Sequence, residues 1–340
     1  MKVENIVAYL KNLCEIPSPT GYTRECEDYL MKEFKSMGYE PYKNNKGSVI
    51  VPISEGEENG LLLSAHIDTL GFMVRSVKEN GRLRVTCLGS FPLAYAEQEN
   101  VTVITRKGEK FTGVFRINEP AVHGSRDPQE IERNDENMEV VLDEITKDDQ
   151  ETLALGIGAG DFVAFDPRFR VDNNFIKSRH LDDKASVAIL LALAKEIKEE
   201  DMKINRPLYM MFTGYEEVGH GASSGHPKGI KDMIAVDMGV VYDDLLTDER
   251  KVSICAKDSS GPYNFDLTNE LIDLAKDLNL NYAVDIYPFY GSDASAAMMS
   301  EHDYRHALLG SGIASSHGYE RTHSEGLQNT FKLLKAFVAK

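Results

Sequence analysis

The sequence predicts an α/β protein: a three-layer sandwich domain around a central mixed sheet, with a small all-β, barrel-like domain inserted into it. Helical and strand patterns alternate at both ends of the chain, while a β-branched alternating texture fills the middle. Neither flanking part has enough strands to close a sheet alone, so an insertion explains the order better than two tandem domains. The boundaries fall at residues 1–71 with 167–340 for the α/β part and 72–166 for the inserted part.

Val3, Ile6, Val7, Leu10 and Leu13 recur at helical spacing until Pro17 and Pro19 force a turn. A second helix follows with a buried stripe of Cys26, Tyr29, Leu30, Phe34 and Met37, stopped by Gly38. Residues 48–53 and 61–65 read as strands, the second apolar throughout, as a strand covered on both faces would be. From Phe72 the alternation Val101-Thr102-Val103-Ile104-Thr105, the turn at 106–110 and the run 111–115 mark the β module. An acidic stretch, 127–149, interrupts it, and the glycine-rich 156–160 leads into another strand. The α/β pattern then resumes with helix 184–199, strands 208–213 and 233–237, helix 267–278 and a final helix 327–338.

The chain has 340 residues, 55 Asp plus Glu against 38 Lys plus Arg, and a formal charge of -17. Spread along the chain, that charge repels phosphate backbones and anionic lipid, which argues against nucleic acid and membrane as partners. No run approaches the roughly 20 apolar residues of a membrane span, and no leader pattern is read, so a cytoplasmic location is expected. Cys14, Cys26, Cys87 and Cys255 lack CxxC spacing and read as reduced thiols.

Three apolar runs each end in a residue suited to binding a metal. Leu61–Ala65 runs into His66-Ile67-Asp68, Leu208–Phe212 into Thr213-Gly214-Tyr215-Glu216-Glu217, and Met233–Val236 into Asp237. In an open α/β sheet, ligands gather at the carboxyl ends of strands. Asp182 and Asp183 stand before an Ala/Leu-rich helix. Each piece taken singly is weak, since strand-end histidines and acidic pairs commonly serve structure. Together they would cost several kcal/mol per unpaired buried charge unless cations neutralise them.

This ordered set, with Glu216-Glu217-Val218-Gly219, a late His323, Ser18-Pro19-Thr20-Gly21-Tyr22 and Tyr290-Gly291-Ser292-Asp293-Ala294, resembles the M42 family of dinuclear metalloaminopeptidases, the glutamyl and deblocking aminopeptidase group. The resemblance implies two divalent metal ions per subunit, zinc or cobalt with manganese as a further option. It implies His66, Asp182 and Asp237 on one ion and Asp182, Glu217 and His323 on the other, with Asp182 bridging. It casts Glu216 as general base and acid, and Asp68 as the carboxylate that orients the His66 imidazole. A non-proline cis peptide between Asp182 and Asp183 is also implied. The expected substrate is a short peptide, cleaved at its N-terminal bond. The inserted module is expected to cap the active site and to join subunits into homo-oligomers, from dimers up to twelve-subunit particles.

His317 competes with His323 for the last position; the family histidine stands just before the final helix and is followed by Ser, which favours His323 and leaves His317 as a loop or pocket residue. Lys184 replaces a frequent Arg, and the segment after Glu217 is one residue shorter than the commonest family form. His180, His220 and His226 are read as loop or pocket residues, and Asp293 as a contact for the substrate's amino group or a turn stabiliser. Two other activities share some of these groups. An amide hydrolase of the M20 or M28 kind would use the same ions on a different substrate end. A glycoside hydrolase would pair Glu216 with Glu217, although adjacent residues rarely face each other at the required roughly 5–9.5 Å.

Overall fold

Alternate residues of the central strands enter two different apolar clusters, which shows a sheet covered on both faces. Leu61, Leu63 and Ala65, with Leu208, Met210 and Phe212, belong to one cluster; Leu62, Tyr209 and Met211 belong to the other. The computed structural model describes residues 2–124 and 127–340 of the chain.

Seven helices are present among the described residues: α1 (Val3–Glu15), α2 (Arg24–Ser36), α3 (Asp149–Ala154), α4 (Leu181–Glu199), α5 (Phe265–Asp277), α6 (Asp293–Met299) and α7 (Ser324–Val338). Side chains of α1, α4, α5 and α7 join the first cluster, whereas Ala294 and Ala297 of α6 join the second. The ten-stranded mixed sheet between them has a parallel centre in the order Leu208–Thr213, Gly60–His66, Ile230–Val236, Arg305–Ile313. Val49–Ser54 and Val252–Asp258 flank this centre as antiparallel neighbours.

The chain divides into two units, Met1–Asp68 with Arg168–Lys340 and Thr69–Pro167. The second is a closed six-stranded barrel, in which Gly71–Val77 is followed around the barrel by Leu83–Leu88, Met138–Leu142, Lys110–Ile117, Asn100–Ile104 and Phe162–Phe165. Phe72, Phe115, Val103 and Val163 fill its interior. Each strand has two neighbours around the barrel, with Leu83–Leu88 meeting Met138–Leu142 at Leu83–Val140.

Several elements escaped the sequence pattern, among them the strands Val252–Asp258, Tyr282–Ile286 and Arg305–Ile313 and the helices α3 and α6. The strand Arg305–Ile313 carries two glycines and polar residues, yet seven of its nine residues are buried. It runs so close to Asp237 that a Cβ on Gly310 would lie 1.8 Å from the Asp237 carbonyl oxygen, so packing against a neighbour selected its residues. Helix α6 is too short for a helical period to show, and α3 lies at the end of the acidic stretch, started by an Asp148 side-chain cap on the Glu151 N–H.

At the amino ends of the parallel strands, the fully buried Asp232 accepts Arg206 Nη1 at 2.7 Å, Arg305 Nε at 2.7 Å and Arg305 Nη2 at 2.9 Å. Burial opposes the Asp232 charge, but the two guanidiniums outweigh it and hold the carboxyl below its usual range. Asp232→Ala is expected to cost roughly 2–4 kcal/mol in denaturant unfolding, since both arginines keep some contact with water. The lowered pKa means that this contribution is present above the ordinary aspartate range and is lost as pH falls through the folded-state value. The two unfolding curves should therefore converge in acid; a constant gap would show that packing dominates.

Candidate metal centre

The three ligand-bearing strand ends meet because the strands are parallel and in register. Thr213 pairs with His66, and Ala235 pairs with Ser64. His66 ends its strand, Asp237 follows Val236 directly, and the turn at Glu216–Val218 begins three residues past Thr213. Asp182 enters from the start of α4, where the Asp182–Asp183 peptide bond is cis.

Two groups of three side chains result. Ligand atoms of His66, Asp182 and Asp237 lie within 4.8 Å of one another, and so do those of Asp182, Glu217 and His317. Asp182 belongs to both. His66 Nε2 is 3.1 Å from Asp182 Oδ1 and 3.7 Å from Glu216 Oε2. His317 Nε2 is 3.6 Å from both Asp182 Oδ2 and Glu217 Oε2.

His323, the histidine the resemblance pointed to, is in neither group. His317 lies in a turn at 315–318, and a short strand, Glu320–His323, separates it from α7. The strand pairs with Phe175–Ser178 and sets His323 opposite Phe175, where the two rings meet edge to face at 4.8 Å. His323 Nδ1 accepts the Glu325 N–H at 3.0 Å and caps α7. The histidine next to the final helix is thus a helix cap, and the earlier one faces Asp182 and Glu217.

Sequence reasoning also missed Glu320. This buried carboxylate accepts the Asp182 N–H through Oε2 and the His317 N–H through Oε1, both at 3.1 Å, so it sets the backbone of two residues of one group. Its only signal in the sequence was its place between the two histidines.

Asp68 lies beside the His66 imidazole, with Oδ1 3.5 Å from His66 Nδ1, and its carboxylate also holds other groups. The His66 Nδ1 lies 2.9 Å from the Asp68 backbone carbonyl, while the carboxylate accepts Thr20 Oγ1 at 2.7 Å and the Glu216 and Glu217 N–H groups at 3.1 and 3.3 Å. Ser18 Oγ donates to the Ile67 carbonyl at 2.7 Å, so the Ser-Pro-Thr-Gly loop braces the strand end. Asp293 accepts Thr213 Oγ1 at 2.7 Å and the Ala222 N–H at 2.8 Å, tying α6 to the segment after Glu217. Lys184 turns away from the acids and donates to the Leu13 and Ile16 carbonyls at 2.9 and 2.7 Å, satisfying the end of α1. His220 stacks on Tyr215, and His226 stacks on His302, bonding to Tyr304 and the Ala222 carbonyl.

Burial, followed by the charges of Asp237 and other neighbouring acids, holds Glu216 well above the usual carboxylate range, although His66 opposes it. Burial and then Asp182 raise Glu217, Glu320 and Asp237, the last to about 7. Burial opposes the His66 charge, but hydrogen bonds that the imidazole donates to Asp182 and Asp68 outweigh it and raise His66. So many carboxylates with two imidazoles form a donor set suited to divalent cations, which would take the place of the protons.

The glutamyl aminopeptidase family M42 profile matches residues 47–333. The chain is 44% identical over 338 residues to the "Putative aminopeptidase YhfE" of Bacillus subtilis, covering 99% of this chain and 98% of that one. It is 25% identical over 255 residues to the glutamyl aminopeptidase of Lactococcus lactis, covering 72% of this chain and 69% of the relative. Among solved structures, the Pyrococcus horikoshii TET1 peptidase, described as assembling into a tetrahedron or a large octahedral shell, superposes with a TM-score of 0.86 at 26% identity, over 98% of this chain and 99% of that one. Together with the strand-end cluster of histidines and carboxylates, these likenesses identify the chain as a member of the M42 glutamyl aminopeptidase family of peptidases.

Proposed function

We propose that the protein is a dinuclear metalloaminopeptidase that removes N-terminal residues from short peptides. The observation that carries this reading is the sharing of Asp182 between two three-residue groups, His66–Asp182–Asp237 and Asp182–Glu217–His317. Three protein ligands per ion leave positions for water and substrate. Two divalent cations, when bound, lower the pKa of a water from about 15.7 toward 7 and polarise a carbonyl. Zinc, cobalt and manganese all suit imidazole and carboxylate donors.

Glu216 is the proton carrier in this reading. It lines a cavity of about 440 Å³ with Asp182, Glu217, Asp237 and His317, and belongs to neither ligand group. Its carboxylate takes the proton of the attacking water and passes it to the leaving amine. Asp68, holding the Glu216 and Glu217 amides, fixes the turn so that one side chain ligates while its neighbour faces the cavity. The barrel unit is assigned to homo-oligomer assembly, a role supported by the shells described for TET1.

Aminoacyl amides and N-acyl amino acids, assayed side by side before and after chelation, test the activity. Turnover of aminoacyl amides that disappears with EDTA and returns with zinc, cobalt or manganese is expected. Preference for N-acyl substrates would instead indicate a deacylase, and turnover of glycosides insensitive to EDTA would indicate a glycosidase.

A further inference from the structure

Opposite the carboxylates, one face of α6 forms a wall of the 440 Å³ cavity. Ser292, Ser295, Ala296 and Met299 all line it, and their spacing of three, four and seven residues puts them on a single helical stripe. Ser260 lines it beside them. Near the ligand cluster the wall is therefore small; at its outer end stand Met299, 70% exposed, and Phe289, 98% exposed.

The hydroxyls of this wall are already committed. Behind it the fully buried Asp258 receives five donors: the Ser260 N–H at 2.8 Å, Ser260 Oγ at 2.5 Å and the Gly261 N–H at 3.2 Å on Oδ1, then Tyr263 Oη at 2.8 Å and Ser295 Oγ on Oδ2. Ser292 Oγ lies 2.8 Å from Tyr263 Oη and also caps α6 through the Ser295 N–H. Those bonds outweigh the cost of burial and keep Asp258 ionised, below the usual carboxylate range. With its acceptor sites occupied, Asp258 offers nothing to a substrate ammonium.

We propose that this α6 wall receives the side chain of the substrate's N-terminal residue and selects an uncharged, small to medium-sized one, alanyl to leucyl or methionyl. The inference rests on the aminopeptidase reading and adds the substrate class to it. A glutamyl carboxylate laid on this wall would meet no lysine or arginine among the described residues that line the cavity, and the α6 hydroxyls beside it are engaged with Asp258 and Tyr263. A lysyl side chain laid along α6 would carry its ammonium past Ala296 to the exposed Met299, where no wall carboxylate is open to pair with it because the Asp258 acceptors are occupied. An aliphatic side chain needs no partner on this wall and gains contact with Ala296 and Met299.

The test uses the full-length, metal-loaded protein with Ala, Leu, Met, Glu and Lys p-nitroanilides, together with Met299→Arg, an exposed position where an arginine can be carried without disturbing the core. Leu or Met is expected to exceed Glu and Lys in kcat/KM by about tenfold or more. Met299→Arg is expected to raise the Glu-to-Leu ratio by about tenfold, chiefly through KM for the Glu substrate. A wild-type preference for Glu or Lys, or a ratio unmoved by Met299→Arg, would overturn the assignment of the wall while leaving the aminopeptidase reading intact. Absence of turnover on all five substrates overturns both.

Discussion

Glu216→Gln is expected to keep the fold, the metal content and KM of the parent while losing about 10²–10⁴-fold in kcat. Glutamine has nearly the shape of glutamate but cannot take a proton from water. Glu216 is absent from both ligand groups, so the change should leave metal binding untouched. Burial and the charges of Asp237, Asp293 and Glu217 hold its carboxyl above the ordinary range when no cation is bound. Kinetics paired with elemental analysis would decide the matter: a variant with full metal and full kcat removes Glu216 from the chemistry, and one that loses metal makes it a ligand.

Asp182→Asn should have the other large effect. Both groups contain Asp182, so its replacement is expected to empty both positions and to cut activity well beyond the roughly 10–100-fold typical of an outer hydrogen-bond partner. A graded series follows from the same geometry. His317→Ala should lower bound metal from about two ions per chain to about one, while His323→Ala should leave metal unchanged and cost about 0.5–2 kcal/mol through the lost α7 cap. Elemental analysis after dialysis, with thermal unfolding alongside, separates these outcomes. Metal loss in His323→Ala together with retention in His317→Ala would reverse the assignment drawn from the coordinates.

Much of the site was legible because strand ends advertise themselves. An apolar run that stops at His66, at Glu216-Glu217 or at Asp237 combines a buried strand with a group that burial penalises, and that conflict shows in one dimension. The last histidine was not legible. Proximity to the final helix pointed to His323, but whether a residue before a helix ligates or caps depends on whether a strand intervenes. Here Glu320–His323 pairs with Phe175–Ser178, more than 140 residues earlier, and carries His323 out of the cluster. Glu320 stayed invisible for a similar reason: its targets, the Asp182 and His317 amides, converge on it only in the folded chain.

From the linear pattern of residues came the α/β class, the inserted β module and the histidines and carboxylates at the ends of apolar runs, while the two-metal reading came with the resemblance to the M42 family. The former rest on local rules, since side-chain period, turn residues and the cost of buried charge act over a few neighbouring positions. Tertiary structure alone decided which of two histidines faces Asp182, which amides Asp68 and Glu320 hold, and that Asp258 draws the wall hydroxyls of α6 to itself. Each depends on a hydrogen bond or a contact between distant segments. Such a contact forms only once strand register and helix packing have fixed distances to within about an ångström, and nothing in the linear order of residues carries that distance.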